Sequence, residues 1–371
     1  MVALKEWQVE LKERRSALWR IVEKLNCDLG LVYGSLDRNE PFRYLTNFAP
    51  ALGDMWGILC REGKMTCLLN FNWQLEEARE LSGIGEWAGV FDLLPELVER
   101  LVSLSPRRVA VFGLERIPWK ALEAIRKSLP KLKTEDADPD FTAQRRRKTP
   151  FEIQVLREAV SITDQAIDLV RSEIRPGMNE QEVAARVSYY FSSRGAQNAF
   201  FPMVMAGTDR PAMCRLPGDY VFKAGDPIMI DVGASWQGYQ ADVARTYVFG
   251  TPSPIQQRIW DTILRAYDAV LDLARPGTPC SHLHRAAVRI YEAAGFKLLH
   301  RIGHGYGLAT SFEWPSLDSE EAALEPGMTF AVEPGIYVQG ANAMKLEEDL
   351  LITESGCEVL SKASRDLVIF S

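Results

Sequence analysis

The sequence predicts two domains of mixed structure, an N-terminal α/β domain over residues 1–140 and a C-terminal α+β domain over 141–371. Three observations predict this. Apolar runs alternate with amphipathic stretches through the first part. A carboxylate-bearing hairpin then occurs twice: Gly225, Asp231 and Gly233 in GDPIMIDVG return as Gly327, Glu333 and Gly335 in GMTFAVEPG, every position displaced by 102. The segment before each hairpin repeats as well, Arg175-Pro176-Gly177 and Arg275-Pro276-Gly277 lying 100 apart.

In chain order, residues 4–25 read as an amphipathic helix with Trp7, Leu11, Leu18, Ile21 and Leu25 on one side. Apolar strands are expected at Gly30–Tyr33, Met55–Arg61 and Met65–Leu69, and helices at Trp73–Leu81 and Leu93–Leu104. Arg108–Phe112 reads as a strand and Trp119–Leu129 as a helix with Pro118 at its start. The polar stretch TEDADPDFTAQ, 134–144, reads as a linker. A helix then opens at Phe151, where Ile153, Leu156, Val160, Thr163, Ile167 and Val170 step by three and four. Asn179 caps the following helix, with Glu182 at the capping-box position.

The repeat gives the chemistry its first clue. A carboxylate at the same place in two copies of a unit implies two halves facing one another with acids inward. Buried acids repel, and a shared divalent cation is the usual way to hold them together. Asp242 follows Asp231 on its hairpin, Glu347 follows Glu333 in KLEEDLLIT, and His304 stands between Gly303 and Gly305, where backbone can crowd a site. One Asp before Gly is ordinarily a turn residue, and one His beside Gly is ordinarily packed. Five such residues in repeat-related frames are better explained as ligands. Four carboxylates and one imidazole suit Mn²⁺, Co²⁺, Fe²⁺ or Zn²⁺, and two such ions about 3.5–4 Å apart can activate one water.

At these residues the chain resembles the pita-bread metallopeptidases: prolidase, Xaa-Pro aminopeptidase, methionine aminopeptidase and creatinase-like relatives. The order Asp…Asp…GHGxGL…EPGIY…KxEE carries the likeness, with RRRKTPFEI, KAGDPIMIDVGA and LEPGMTFAVEPGIY matching almost throughout. It runs from about Arg147 to Ser371 and more loosely before that. The resemblance implies a creatinase/prolidase-like α/β domain followed by a duplicated, pseudo-twofold pita-bread domain. It also implies two divalent ions held by Asp231, Asp242, His304, Glu333 and Glu347, with Glu333 as general base and His304 beside it, and a homodimer.

The departures concern the peptide rather than the metals. Family peptidases carry a His before the first metal hairpin; FFPMVMAGTDRPAMCRLPGD, 200–219, has none. A second His follows the GHGxGL loop in a HExP-like frame; here ATSFEWP places Ser311 and Phe312 there. Ala244 stands where a Thr often follows the second Asp. Arg215, a permanent cation with several donors, is expected to fill the first gap in preference to Cys214, with Arg210 beside it. Tyr239, Trp236, Phe200, Phe201, Phe312 and Trp314 are candidate pocket aromatics.

Composition excludes other classes. A net charge of −7 argues against a nucleic-acid surface, and the run Arg145 to Lys148 reads as a solvated face beside Pro150. No apolar run reaches 18 residues, and MVALKEWQVELKERR is a charged helix rather than a signal peptide or span. Six cysteines without a CxxC pair predict a reducing cytoplasm. His282 and His284 fall on different faces of a helix, and His300 is expected to pack or make an outer contact. The expected activity is metal-dependent hydrolysis of an amide bond in a small peptide, an Xaa-Pro dipeptide first. A non-peptidase reaction (creatinase-like C–N hydrolysis, cyclic-amide opening or a lyase step) and an inactive binding module stay open.

Overall fold

Helices and short strands alternate through the first part of the chain: α1 (Leu4–Lys24), β1 (Leu29–Gly34), α2 (Glu40–Thr46), β2 (Met55–Leu59), β3 (Met65–Asn70), α3 (Leu75–Ser82), β4 (Trp87–Val90), α4 (Leu93–Leu104), β5 (Arg108–Phe112), α5 (Trp119–Ser128), β6 (Lys133–Asp136) and α6 (Asp138–Arg146). The structure is a computed structural model that describes residues 4–36, 39–308, 313–367 and 369–370. The chain divides into two units, Met1–Arg145 and Arg146–Ser371. Among the described residues, no helix is long and apolar enough to cross a membrane.

In the first unit, six strands form one mixed sheet in the order β4-β3-β2-β1-β5-β6. Leu29, Leu31, Val109 and Val111 of its central strands pack with Leu93, Leu97, Leu101, Ala121 and Ile125 of α4 and α5. The polar stretch read as a linker is structured instead. Thr134 and Glu135 extend the sheet beside Val109 and Ala110, and an edge strand tolerates polar residues because one of its sides faces water. Asp138 then accepts hydrogen bonds from the Gly113 and Leu114 amides, 2.6 and 2.9 Å, which tethers the start of α6.

The second unit contains α7 (Pro150–Glu173), α8 (Glu180–Ser193), β7 (Gln197–Asn198), β8 (Met203–Ala206), β9 (Pro227–Val232), β10 (Ala234–Trp236), β11 (Tyr239–Gln240), β12 (Val243–Phe249), α9 (Pro254–Leu271) and α10 (Cys280–Ala293). It continues with β13 (Gly303–Gly305), β14 (Glu313–Ser316), β15 (Thr329–Val332), β16 (Gly335–Val338), β17 (Asn342–Lys345), β18 (Glu348–Ile352), β19 (Cys357–Val359) and β20 (Ile369–Phe370). Thr149 and Asn179 cap α7 and α8 through full capping boxes with Glu152 and Glu182.

The duplication is visible in the backbone. Gly177 and Gly277 both have positive φ, +92° and +88°, and so do Gly225 and Gly327, +83° and +87°, conformations that glycine adopts without strain. The Gly177 amide bonds to the Phe222 carbonyl and the Gly277 amide to that of Leu324. Single bridges join Asn179 to Val221 and Pro279 to Ala323. Each half carries its own core: α7 and α8 side chains pack with Ile228, Ile230 and Val243, and α9 and α10 side chains with Phe330, Val332 and Leu350. This is the pseudo-twofold pita-bread fold.

The halves meet where the repeat predicts. The Ala244 and Glu347 backbones exchange hydrogen bonds at 3.3 and 3.0 Å, and Thr246 Oγ1 bonds to both the amide and carbonyl of Lys345, 2.9 Å each. Arg245, 1% exposed, donates to Glu348 and to the Ala363 and Ser364 carbonyls beneath this seam.

Candidate metal centre

Five elements deliver the five candidate ligands. Asp231 stands near the end of β9, Asp242 just before β12, His304 in β13, Glu333 between β15 and β16, and Glu347 between β17 and β18. All five are buried, from 1% exposed for Asp231 and Glu347 to 9% for Glu333. His304 Nε2 lies 3.6 Å from Asp242 Oδ2, 3.6 Å from Glu333 Oε1 and 4.0 Å from Glu347 Oε1. One ligand atom each from Asp242, His304 and Glu347 falls within 4.8 Å of the others. The two glycines around His304 permit this convergence: a Cβ on Gly303 would sit 2.1 Å from the Ala331 carbonyl oxygen, and one on Gly305 2.0 Å from that of Trp314.

Lys345 organises the acids. Its Nζ lies 2.8 Å from Asp231 Oδ2, 2.9 Å from Glu333 Oε2 and 2.7 Å from Glu347 Oε2. Three carboxylates therefore each turn one oxygen toward a single buried ammonium. The other oxygens of Asp231 and Glu347, Oδ1 and Oε1, are buried without a hydrogen-bond partner. Buried polar atoms left in that state require an explanation, and an ion is one.

Electrostatics point the same way. Burial, and then the neighbouring carboxylates, push Asp242 and Glu347 well above the usual carboxylate range. Burial also acts on Glu333, but Lys345, His304 and His300 outweigh it and hold that carboxyl at about 2. Burial lowers His304 to about 4 against the opposing pull of Glu333. The imidazole is therefore neutral at pH 7. With Nδ1–H donating to the Gly305 carbonyl at 3.1 Å, Nε2 is the atom that offers a lone pair inward. The burial and mutual repulsion that raise Asp242 and Glu347 are what a divalent ion would offset, and the donor set fits hard or borderline divalent ions.

The surrounding cavity is about 440 Å³. Phe200, Phe201, Met203, Met213 and Cys214 form an apolar wall, and His300, Arg301, Tyr337 and Lys345 join the ligands on the polar side. Arg215 is elsewhere: its guanidinium grips Glu180, whose side chain is fully buried and also receives the Ala206 and Gly218 amides at 2.9 and 2.7 Å. A buried carboxylate demands a cation more strongly than an open cavity does, so Cys214 rather than Arg215 faces the site. Arg210 lies 5.8 Å from the Tyr220 ring. Tyr239 is buried with its hydroxyl donating to Glu152 at 2.7 Å, and neither lines the cavity. Ser311 and Phe312 lie outside the described residues.

Sequence reasoning expected His300 to pack or make an outer contact, and it missed two further polar members, Arg301 and Lys345. His300 sits against Glu333, Nδ1 to Oε2 4.0 Å, with Nε2 2.9 Å from the Tyr337 hydroxyl. Arg301 approaches the same carboxylate, Nε to Oε1 4.0 Å. Lys345 was legible as the basic residue two before Glu347, but its three-way contact was not.

Comparison with known proteins agrees with the fold. Residues 154–354 match the model of metallopeptidase family M24, and the chain belongs to that family. It is 28% identical over 363 residues to an Xaa-Pro dipeptidase of Pyrococcus horikoshii, covering 96% of this chain and 99% of that one. It is 30% identical over 282 residues to a putative dipeptidase, YkvY, of Bacillus subtilis, covering 74% and 77%. The crystal structure of the prolidase from Pyrococcus horikoshii OT3 superposes with a TM-score of 0.86 at 26% identity, covering 96% of this chain and all of the other.

Proposed function

We propose that this chain is a dimetal Xaa-Pro dipeptidase, with Asp231, Asp242, His304, Glu333 and Glu347 holding two divalent ions. The observation that carries the reading is the convergence of five buried ligand side chains, with Asp231 Oδ1 and Glu347 Oε1 unpartnered. A relative named Xaa-Pro dipeptidase, matched over nearly the full length, supports the substrate class. When bound, the ions supply a water of lowered pKa and Lewis-acid polarisation of the scissile carbonyl.

The chain's own residues do the rest. Glu333 is ionised at neutral pH and takes the proton of the attacking water, then returns it to the leaving amine. Lys345 engages one oxygen of each of three carboxylates, which leaves the second oxygen of each for the ions. His300 lies 4.0 Å from Glu333 and is itself placed by the Tyr337 hydroxyl and the Arg301 carbonyl. The apolar wall of Phe200, Phe201, Met203 and Met213 excludes water and accepts a hydrophobic side chain.

Oxygen-rich coordination with one imidazole suits Mn²⁺ or Co²⁺ first, Fe²⁺ and Zn²⁺ next. All six cysteines are free, in keeping with a reducing cytoplasm, and the family resemblance supports a homodimer. One observation favours a second reading, hydrolysis of a non-peptide C–N bond: the wall from 200 to 214 presents thioether, thiol and aromatic groups and no imidazole. Losing an oxyanion donor costs roughly 10²–10³ in rate. Steady-state kinetics on Ala-Pro and Met-Pro with each metal test the proposal. Metal-dependent cleavage supports it; protein that binds its ions yet cleaves neither dipeptide moves the assignment to the second reading.

A further inference from the structure

We infer that the first unit holds a second ligand site, a pocket built around Arg15 that takes a small organic monoanion, a carboxylate head with an apolar tail. The pocket is a cavity of about 590 Å³ whose lining residues all lie within Met1–Arg145, an ordinary volume for a small-molecule site. The metal ligands contribute nothing to it, so the inference stands apart from the peptidase reading. Helix α1 carries two adjacent buried arginines, and the fold treats them differently. Arg14, 3% exposed, has Glu10 one turn away, Nε to Oε1 2.9 Å. Arg15, 7% exposed, has no carboxylate against it among the described residues. Its hydrogen bonds run from Nη1 to the Leu45 and Ser82 carbonyls, 2.9 and 3.2 Å, in the last turns of α2 and α3. Helix ends leave such carbonyls without a partner inside the helix, so backbone fixes the guanidinium before any ligand arrives.

Charge and shape both suit an amphipathic anion. With Nη1 committed to the two carbonyls, the Nε–Nη2 edge remains, the planar fork that meets a carboxylate through two parallel hydrogen bonds. Burial lowers Arg15 from its ordinary value, and a buried charge is costly until an anion meets it. Lys64 and Arg100 line the cavity as well, together with one acid, Glu86. Arg100 is already held by Glu96 at 2.7 Å, with Glu86 at 3.8 Å. The Lys64 side chain is 81% exposed, 3.9 Å from Glu62, so it adds attraction rather than a second fixed donor. One buried cation therefore selects one negative charge, which favours a carboxylate over a phosphate dianion. Ile58, Met65, Ile84 and Leu104 supply an apolar wall for the tail. Gly85 belongs to the same lining, and a Cβ there would meet nothing within 4 Å.

Calorimetric titration of the full-length protein, equilibrated with Mn²⁺, tests the site in wild type, Arg15→Met and Gly85→Trp. The probes are hexanoate and hexanamide, which share a shape and differ in charge. Arg15→Met removes the fork. Gly85→Trp narrows the pocket with Arg15 in place, and it decides the matter if Arg15→Met fails to fold. Wild type is expected to bind hexanoate more tightly than hexanamide by roughly 10–100-fold, the worth of a charge-assisted pair. Arg15→Met loses that preference, and Gly85→Trp weakens both ligands together. Hexanoate affinity within about twofold of wild type in both variants places the ligand on the metal ions or the surface and overturns the assignment. So does a wild type that gives no heat with hexanoate at millimolar concentration, or that binds hexanamide as tightly. Inorganic phosphate that outcompetes hexanoate for the site lost in Arg15→Met contradicts the single-charge head group.

Discussion

Arg215 and Lys345 are both basic residues near the site, and the fold treats them in opposite ways. Arg215 is committed to Glu180, a carboxylate with no solvent contact. Removing one partner of such a pair strands a buried charge, so Arg215→Ala is expected to cost about 3 kcal/mol of stability, measured by denaturant unfolding, with metal content unchanged. The pH sign follows. Burial raises Glu180, but Arg215 and two amides overcome it and leave the carboxyl below its ordinary value of 4.5. Its contribution is present above that value and is lost as pH falls through the lowered one. Arg215→Ala flattens this acid limb. Lys345 acts on the candidate ligands themselves, and such outer partners commonly govern metal affinity by 10–100-fold. Lys345→Met is therefore expected to weaken Mn²⁺ binding by roughly that factor in calorimetry. Tighter binding would mean that the ammonium merely competes with the ions.

At the scale of elements, what was legible is what periodicity and repetition encode. The helices α1, α4, α7 and α8 and the strands β1, β3 and β5 follow from apolar spacing and capping residues in the sequence, because burial on one face is written locally. The two metal hairpins follow from the displacement of 102. The edge elements were not legible. β4 is four residues with Gly89 inside, and β6 is mostly polar, so each depends on a neighbouring strand rather than on its own composition. The cavity wall was half legible: Phe200 and Phe201 were named from sequence, whereas Arg301 and the retreat of Arg215 depend on Glu333 and Glu180, far away in sequence. Strand β13 supplies a test at this scale. Its backbone lies so close to β15 that a Cβ on Gly303 would meet the Ala331 carbonyl at 2.1 Å. Gly303→Ala is expected to cost about 1–3 kcal/mol and to weaken metal binding, since His304 is the next residue. Thermal melts with and without Mn²⁺ read both effects, and wild-type values in both would show that the strand has room to shift.

At the scale of the whole molecule, the candidate ligands and the cavity lie within Arg146–Ser371, on two halves that repeat one another. Asp231 and Asp242 come from the first half, His304, Glu333 and Glu347 from the second. Neither half can assemble the site alone. The seam between Ala244 and Glu347, and Lys345 bonded across it to Asp231 at 2.8 Å, tie folding of the domain to assembly of the centre. The central claim is that this convergence is a two-ion site, and metal analysis of chelator-free protein tests it most directly. The account predicts up to two divalent ions per chain on equilibration with Mn²⁺ or Co²⁺, and loss of at least one in Asp242→Ala or Glu347→Ala. Wild-type protein that holds no divalent ion, and gains none from either metal, would contradict it.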